Sequence, residues 1–150
     1  MLLLADTISR LRIPWNKRPL IEADFHRLCR KHKVTVTEMP LRKVSGFYYC
    51  AMRQHYIAID SRLSPQKKLF VMFHEFGHFL LHSPSGSATA NYHRVGTRTR
   101  DEIEADSFAL CALMPLGWVE SGRLSELAAD AGYDAELIAD RFAVFNRHGL

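Results

Sequence analysis

Hydrophobic residues are densest over residues 65–82, a stretch that contains four phenylalanines. Apolar side chains would occupy almost every side of a helix formed there, and this pattern predicts a helix buried at the centre of the fold. Ser64 and Pro65 predict its start, because serine caps a first turn and proline fits the first helical position. Ser83 and Pro84 predict its end.

Other segments on both sides of this helix show periodic patterns. Residues 34–39 alternate apolar and polar positions, and residues 47–51 and 56–60 are aromatic or β-branched, which predicts three strands. A helix is predicted over about residues 19–33, after a short helix and a turn. A second buried helix is predicted over about residues 99–114, ended by Pro115.

The remaining segments complete an α+β domain. Residues 83–97 are rich in serine, glycine, threonine and asparagine and predict a loop, and residues 123–150 predict two or three short helices. The order of elements predicts a small sheet packed on helices. The 150 residues match the size of one domain, and we divide it into an N-terminal extension, a catalytic core and a helical tail, at residues 1–19, 20–115 and 116–150.

Composition narrows the class of protein. Hydrophobic residues make up 47% and charged residues 24%, as in globular rather than disordered chains. A chain of this length buries a core without help from a metal, so a metal site here is expected to perform chemistry. The net charge of +4 permits an acidic partner without requiring one. Three cysteines without a CxxC pair, no signal-peptide core and no membrane-spanning run predict a cytoplasmic protein.

The candidate chemistry lies in the central helix, where His74-Glu75-Phe76-Gly77-His78 forms an HExxH motif. Residues four apart share a helix face, with about 5–6 Å between Cβ atoms, so both imidazoles can bind one metal ion. Glu75 is rotated by about 100° from His74 and is placed to act on the attacking water. The alternative is a pair of hydrogen-bonded core histidines beside a buried carboxylate, although unpaired polar groups there are unfavourable.

A catalytic zinc needs a third protein ligand. His82 shares the face of His74, but eight helical residues span about 12 Å, whereas two nitrogens on one zinc lie at most about 4 Å apart. His82 is therefore expected to satisfy the helix end. Glu102 in the second buried helix is the predicted ligand, and Asp106 is expected to accept the other ring N–H of a ligating histidine. Glu104 is the rival ligand and is otherwise expected to be solvated.

These residues predict hydrolysis of a peptide bond. Zinc, favoured by two imidazoles and a carboxylate although manganese or iron also fits, lowers the pKa of water and polarises the scissile carbonyl. Glu75 is the predicted general base. A strand such as residues 56–60 is expected to hold an extended substrate by edge pairing. Tyr92, His93 and Arg94 are candidate donors to the oxyanion.

The chain resembles the ImmA/IrrE family of metallopeptidases. The resemblance rests on the HExxH helix with its Ser-Pro start, on the Glu-Ile-Glu-Ala-Asp-Ser-Phe-Ala segment at residues 102–109 and on Leu-Met-Pro at 113–115, and it covers residues 20–115 well. It implies a zincin-like fold in which, as in gluzincins, a glutamate of the second helix binds zinc. It also implies cleavage of a helix-turn-helix transcriptional repressor. The family often has asparagine where Asp106 stands, and aspartate can form the same hydrogen bond.

Two other functions are compatible with the sequence. Residues 125–142 approach helix-turn-helix spacing, but Asp134, Glu136 and Asp140 would face the DNA phosphates, so direct nucleic-acid binding is not expected. The chain could also hold a metal without cleaving peptides, as a regulatory or toxin–antitoxin-associated module. Comparing the wild type with Glu75→Gln separates this possibility from the peptidase.

Overall fold

A small mixed sheet lies against two central helices in the computed structural model, which describes residues 2–83, 91–92 and 99–150. The helices and strands confirm the predicted α+β class. In chain order they are α1 (Leu2–Ser9), α2 (Glu22–Lys31), β1 (Val34–Met39), β2 (Gly46–Ala51), β3 (Gln54–Asp60), α3 (Pro65–His82), β4 (Asn91–Tyr92), α4 (Arg100–Leu113), α5 (Leu116–Glu120), α6 (Leu124–Asp130) and α7 (Ala135–His148).

The sheet has the strand order β1-β3-β2-β4. Strand β3 pairs in parallel with β1 and antiparallel with β2, and β2 also pairs antiparallel with β4. The prediction that residues 56–60 hold a substrate by edge pairing is therefore wrong, because both edges of β3 are already hydrogen-bonded to neighbouring strands. The β2–β3 turn is tight, with Met52 and Arg53 at φ 52° and 61°.

Helix α3 has the limits that the sequence predicts. The Ser64 side chain accepts a hydrogen bond from the backbone N–H of Lys67, and Pro65 occupies the first turn. Residues 71–78 are buried between the sheet and α4. The approach of α4 is close, because a Cβ built on Gly77 would lie 3.3 Å from the Cα of Ala105. This approach brings polar side chains of the two helices together.

Both ends of the chain pack on the same core. Leu4 and Ile8 of α1 are buried in it, and the indole of Trp15 donates a 2.9 Å hydrogen bond to the carbonyl of Phe108 in α4. In α7 the Arg141 side chain is fully buried and donates to the carbonyl oxygen of Met114 at 2.6 Å. The predicted extension and tail thus share contacts with the predicted core.

Helix α2 begins later than predicted, at Glu22 rather than near Pro19. The reason is local, because the Asp24 carboxylate accepts a 2.8 Å hydrogen bond from the backbone N–H of Ile21 and so caps the helix there.

Within the predicted loop 83–97, Asn91 and Tyr92 form β4, while residues 84–90 and 93–97 lie outside the described residues. In the part of the chain that the structure describes, no helix has the length and apolar character needed to cross a membrane.

Candidate metal centre

Three polar side chains meet where α3 packs on α4. Each of His74, His78 and Glu102 offers one ligand atom, and these atoms all lie within 4.8 Å of one another. The Nε2 atoms of the two histidines are 3.1 Å apart. The Glu102 carboxylate spans them, with one oxygen 3.3 Å from Nε2 of His74 and the other 3.0 Å from Nε2 of His78.

This arrangement fits a divalent metal ion. Two nitrogens bound to one tetrahedral zinc at about 2.05 Å lie roughly 3.4 Å apart, close to the observed separation. Two imidazoles and a carboxylate are also ligands that zinc accepts. Both histidines are at least 97% buried, since His74 is 3% and His78 is 1% exposed. The buried group of His74, His78 and Glu102 could therefore hold a metal ion.

The ring of His74 is held from its other side. Its Nδ1 lies 2.6 Å from a carboxylate oxygen of Asp106, one turn beyond Glu102 on α4. A carboxylate at this distance favours the tautomer with hydrogen on Nδ1, which leaves the Nε2 lone pair facing the cluster. Asp106 thus lies next to a ring nitrogen that points away from the candidate metal position.

The ring of His78 is held by a second histidine. Nδ1 of His78 lies 3.1 Å from Nδ1 of His82, and Nε2 of His82 lies 3.2 Å from a carboxylate oxygen of Glu104. With the Nε2 lone pair of His78 facing the cluster, its Nδ1–H donates to His82, and the Nε2–H of His82 donates to Glu104. These three residues form a chain of two hydrogen bonds, which we call the His82 relay.

The relay corrects two predictions. His82 does not merely satisfy the helix end, and Glu104 does not point into solvent, because the packing of α4 on α3 turns its side chain, which is 19% exposed, towards His82. Burial acts to raise the pKa of Glu104, but hydrogen bonds from Arg100 and His82 outweigh it and hold that pKa below its usual value. The four-residue spacing of His74, His78 and His82 was the sequence signal for this contact.

Glu75 is fully buried on the side of α3 that faces the start of β2. A Cβ built on Gly46 would be in ordinary contact with the Cγ of Glu75 at 3.5 Å but only 2.6 Å from Cγ1 of Val71, so only a glycine lets the strand approach α3 this closely. Gly46 is not among the predicted site residues, although a glycine at a strand terminus is a signal for such an approach. The role of Glu75 as general base stays a prediction.

A cavity of about 540 Å³ opens beside His74. Phe70 and Val71 of α3 contribute apolar lining, and the loop between β1 and β2, residues 41–45, forms another wall. Of the candidate oxyanion donors, His93 and Arg94 lie outside the described residues, as does the side chain of Tyr92. Of the three candidate ligands, His74 lines this cavity.

Comparison with known proteins places these features among peptidases. A family model described as the IrrE N-terminal-like domain, Peptidase M78, matches residues 29–145. The chain is also 30% identical, over 137 residues, to a protein of Bacillus phage phi105 described as uncharacterized immunity region protein 2. That alignment covers 79% of this chain and 86% of the phage protein.

Proposed function

The chain belongs to the IrrE N-terminal-like family, Peptidase M78, and on that basis we propose that it is a zinc-dependent endopeptidase. His74, His78 and Glu102 hold the zinc ion, and Glu75 is the general base. Residues 1–150 act as one metallopeptidase domain, in keeping with the packing of both chain ends on the core that carries α3 and α4.

The observation that carries the proposal is the convergence of three electron-pair donors on one buried point. Nδ1 of each ligand histidine has a polar atom close to it, a carboxylate oxygen of Asp106 at 2.6 Å for His74 and Nδ1 of His82 at 3.1 Å for His78. With hydrogen on each Nδ1, two Nε2 lone pairs and the Glu102 carboxylate face one another. Two imidazoles and a carboxylate within 4.8 Å of one another match the ligand set of a divalent metal ion such as zinc.

The proposed mechanism divides the work among these residues. The metal, when bound, acts as a Lewis acid that makes water more acidic and polarises the scissile carbonyl. Glu75 accepts a proton from the attacking water and passes it to the nitrogen of the leaving amine as the peptide bond breaks. Asp106 and the His82 relay keep both imidazoles in the tautomer that binds metal. The cavity beside His74 positions the substrate chain.

We propose a helix-turn-helix repressor as the protein substrate and the cytoplasm as the location. The resemblance to ImmA/IrrE peptidases and the immunity-region name of the phage relative support the substrate. Such a repressor works on DNA inside the cell. Cys29, Cys50 and Cys111 are buried free thiols, which suits a reducing compartment.

The test compares the wild type with Glu75→Gln on a repressor encoded beside this gene. We expect about one zinc ion per chain in both proteins by elemental analysis, and cleavage only by the wild type. Glu120→Gln, an exposed change of the same chemistry, is the matched control and should cleave normally. Equal cleavage by wild type and Glu75→Gln would refute the hydrolase mechanism. A zinc-loaded wild type that cleaves nothing would favour a non-catalytic regulatory module.

The ligand assignment has its own measurement. Glu102→Gln removes the only charged member of the three proposed ligands, and we expect a clear loss of bound zinc in competition with a chromogenic chelator. Glu104→Gln leaves the three proposed ligands in place and is expected to weaken zinc binding less. A larger effect of Glu104→Gln than of Glu102→Gln would reverse the assignment of the third ligand.

A further inference from the structure

The cavity beside His74 carries an uneven distribution of charge. Arg42 and Lys43 line it from the β1–β2 loop and Lys67 lines it from the first turn of α3, and all three side chains are exposed. Within residues 2–83, 91–92 and 99–150, no carboxylate forms an ion pair with any of them. The neighbouring Lys68 is different, because its ammonium group lies 3.2 Å from the Glu38 carboxylate and is already paired.

The carboxylates that line the same cavity are mostly engaged elsewhere. Asp60 lies 3.1 Å from the guanidinium of Arg62. The hydrogen bond from Arg62 is the main reason that the pKa of Asp60 lies below its usual value. Asp106 is held against His74 at 2.6 Å. Because the His74 imidazole is neutral, Asp106 keeps its charge, and together with Glu136 it gives the lining two carboxylates against three unpaired cations.

The opposite charge is concentrated on the α7 side. An adjoining cavity of about 250 Å³ is lined by Asp134, Glu136 and Asp140, together with Lys67. The cleft therefore has a basic wall at the β1–β2 loop and an acidic wall at α7. An anion entering near His74 is attracted to the loop and repelled by the helix, and this separation directs it towards Arg42 and Lys43.

We propose that the cavity beside His74 is a substrate subsite that selects an acidic side chain, aspartate or glutamate, close to the scissile bond. The methylene groups of that side chain pack on Phe70 and Val71, and its carboxylate reaches Arg42 and Lys43. This inference rests on the proposed peptidase function, since it names the class of substrate residue that the same site accepts. The three cations act as specificity-determining residues and take no part in bond cleavage.

The binding test uses the Glu75→Gln protein with its metal retained, so that no peptide is consumed. Two alanine-rich heptapeptides without other charged side chains are titrated by NMR, one with glutamate and one with glutamine at the centre. Both are acetylated and amidated, so that the carboxylate can come only from the side chain. We expect about tenfold tighter binding of the glutamate peptide, a preference that falls sharply in 0.5 M NaCl.

Matched variants show which residues cause the preference for the glutamate peptide. Arg42→Gln combined with Lys43→Gln should reduce it to about twofold or less. Lys17→Gln combined with Arg53→Gln removes the same charge from exposed positions outside the cavity and should leave it unchanged. Glu136→Gln should strengthen it. The subsite proposal is overturned if the two peptides bind equally well or if neither binds. It is also overturned if the two double variants lose the same amount of preference for glutamate.

A cleavage experiment separates failure of the subsite from failure of the proposed function. Wild-type protein is incubated with a mixture of peptides randomised around a central position, and the products are sequenced by mass spectrometry. Acidic residues enriched at one position beside the cut, and less so with the Arg42/Lys43 double variant, support the subsite. Cleavage that depends on Glu75 but shows no acidic enrichment overturns the subsite and leaves the peptidase intact. Absence of any cleavage counts against the peptidase and therefore against a subsite beside a scissile bond.

Discussion

Replacing Gly46 with alanine tests how closely β2 must approach α3 for the site to form. The new Cβ would lie 2.6 Å from Cγ1 of Val71 and 2.9 Å from the carbonyl oxygen of Ala58. Carbon atoms in good contact are about 3.5–4.0 Å apart. The Ala58 oxygen belongs to the backbone of β3 and cannot rotate away, so the strand or the helix must shift by roughly 1 Å.

This shift has a predictable magnitude. Overpacking a core costs about 1–3 kcal/mol, and two contacts below 3 Å, one of them with backbone, place Gly46→Ala near 3 kcal/mol. For a chain of this length the thermal midpoint should fall by roughly 6–12 °C. The same Cβ would be 3.5 Å from Cγ of Glu75, so displacement of α3 also moves the proposed general base. Peptidase activity should therefore fall even at temperatures where the variant is folded.

Urea denaturation followed by circular dichroism measures the loss of stability. Gly117→Ala is the matched control, because a Cβ there meets nothing within 4 Å, and its effect should be neutral or stabilising by up to about 1 kcal/mol. Combining Gly46→Ala with Val71→Ala removes one of the two clashes and should show a favourable coupling of about 1 kcal/mol. A Gly46→Ala protein within about 0.5 kcal/mol of the wild type would refute the argument that β2 and α3 are tightly packed here.

Three further predictions concern the His82 relay, the cap of α2 and the buried arginine of α7. His82→Asn should weaken zinc binding about 10- to 100-fold in a chelator competition, because the His78 ring loses its orienting partner. The pKa of Asp24 is lowered mainly by the hydrogen bond from Arg18, so its stabilising effect is present above the usual carboxyl pKa and is lost as pH falls through the folded value. The difference in unfolding free energy between wild type and Asp24→Asn should thus be constant above about pH 5 and shrink below about pH 4. Arg141→Met should destabilise the fold by about 3 kcal/mol, because the buried carbonyl of Met114 loses a charged donor.

Each of these has a control of the same chemistry. His26→Asn changes a histidine of α2 outside the metal centre and should leave zinc affinity unchanged. Glu22→Gln, in the first turn of α2, should have little effect on acid stability, because it does not cap the helix. Arg147→Met lies on α7 but is exposed, and it should change stability by less than about 0.5 kcal/mol. If a control variant changed zinc affinity or stability as much as the variant it is paired with, the effect would come from general surface charge or composition.

The sequence by itself determined the central helix and its motif. Ser64 and Pro65 predict where α3 begins, and the structure confirms that start and the end at His82. The cap, the proline and the four-residue spacing of His74 and His78 all act within one helix. Their consequences follow from backbone geometry over a few residues, and no knowledge of the rest of the fold is needed.

Tertiary structure alone decided what surrounds that helix. Whether Glu102 or Glu104 faces the two imidazoles depends on how α4 is rotated against α3, and the structure turns Glu104 to His82 instead. Strand order likewise places β3 inside the sheet, away from any edge that a substrate could join. Helix rotation and strand order are set by packing between residues distant in the chain. The hydrogen bonds and the hydrophobic periodicity within one helix or strand determine that helix or strand. They do not determine its contacts with elements that are distant in the chain.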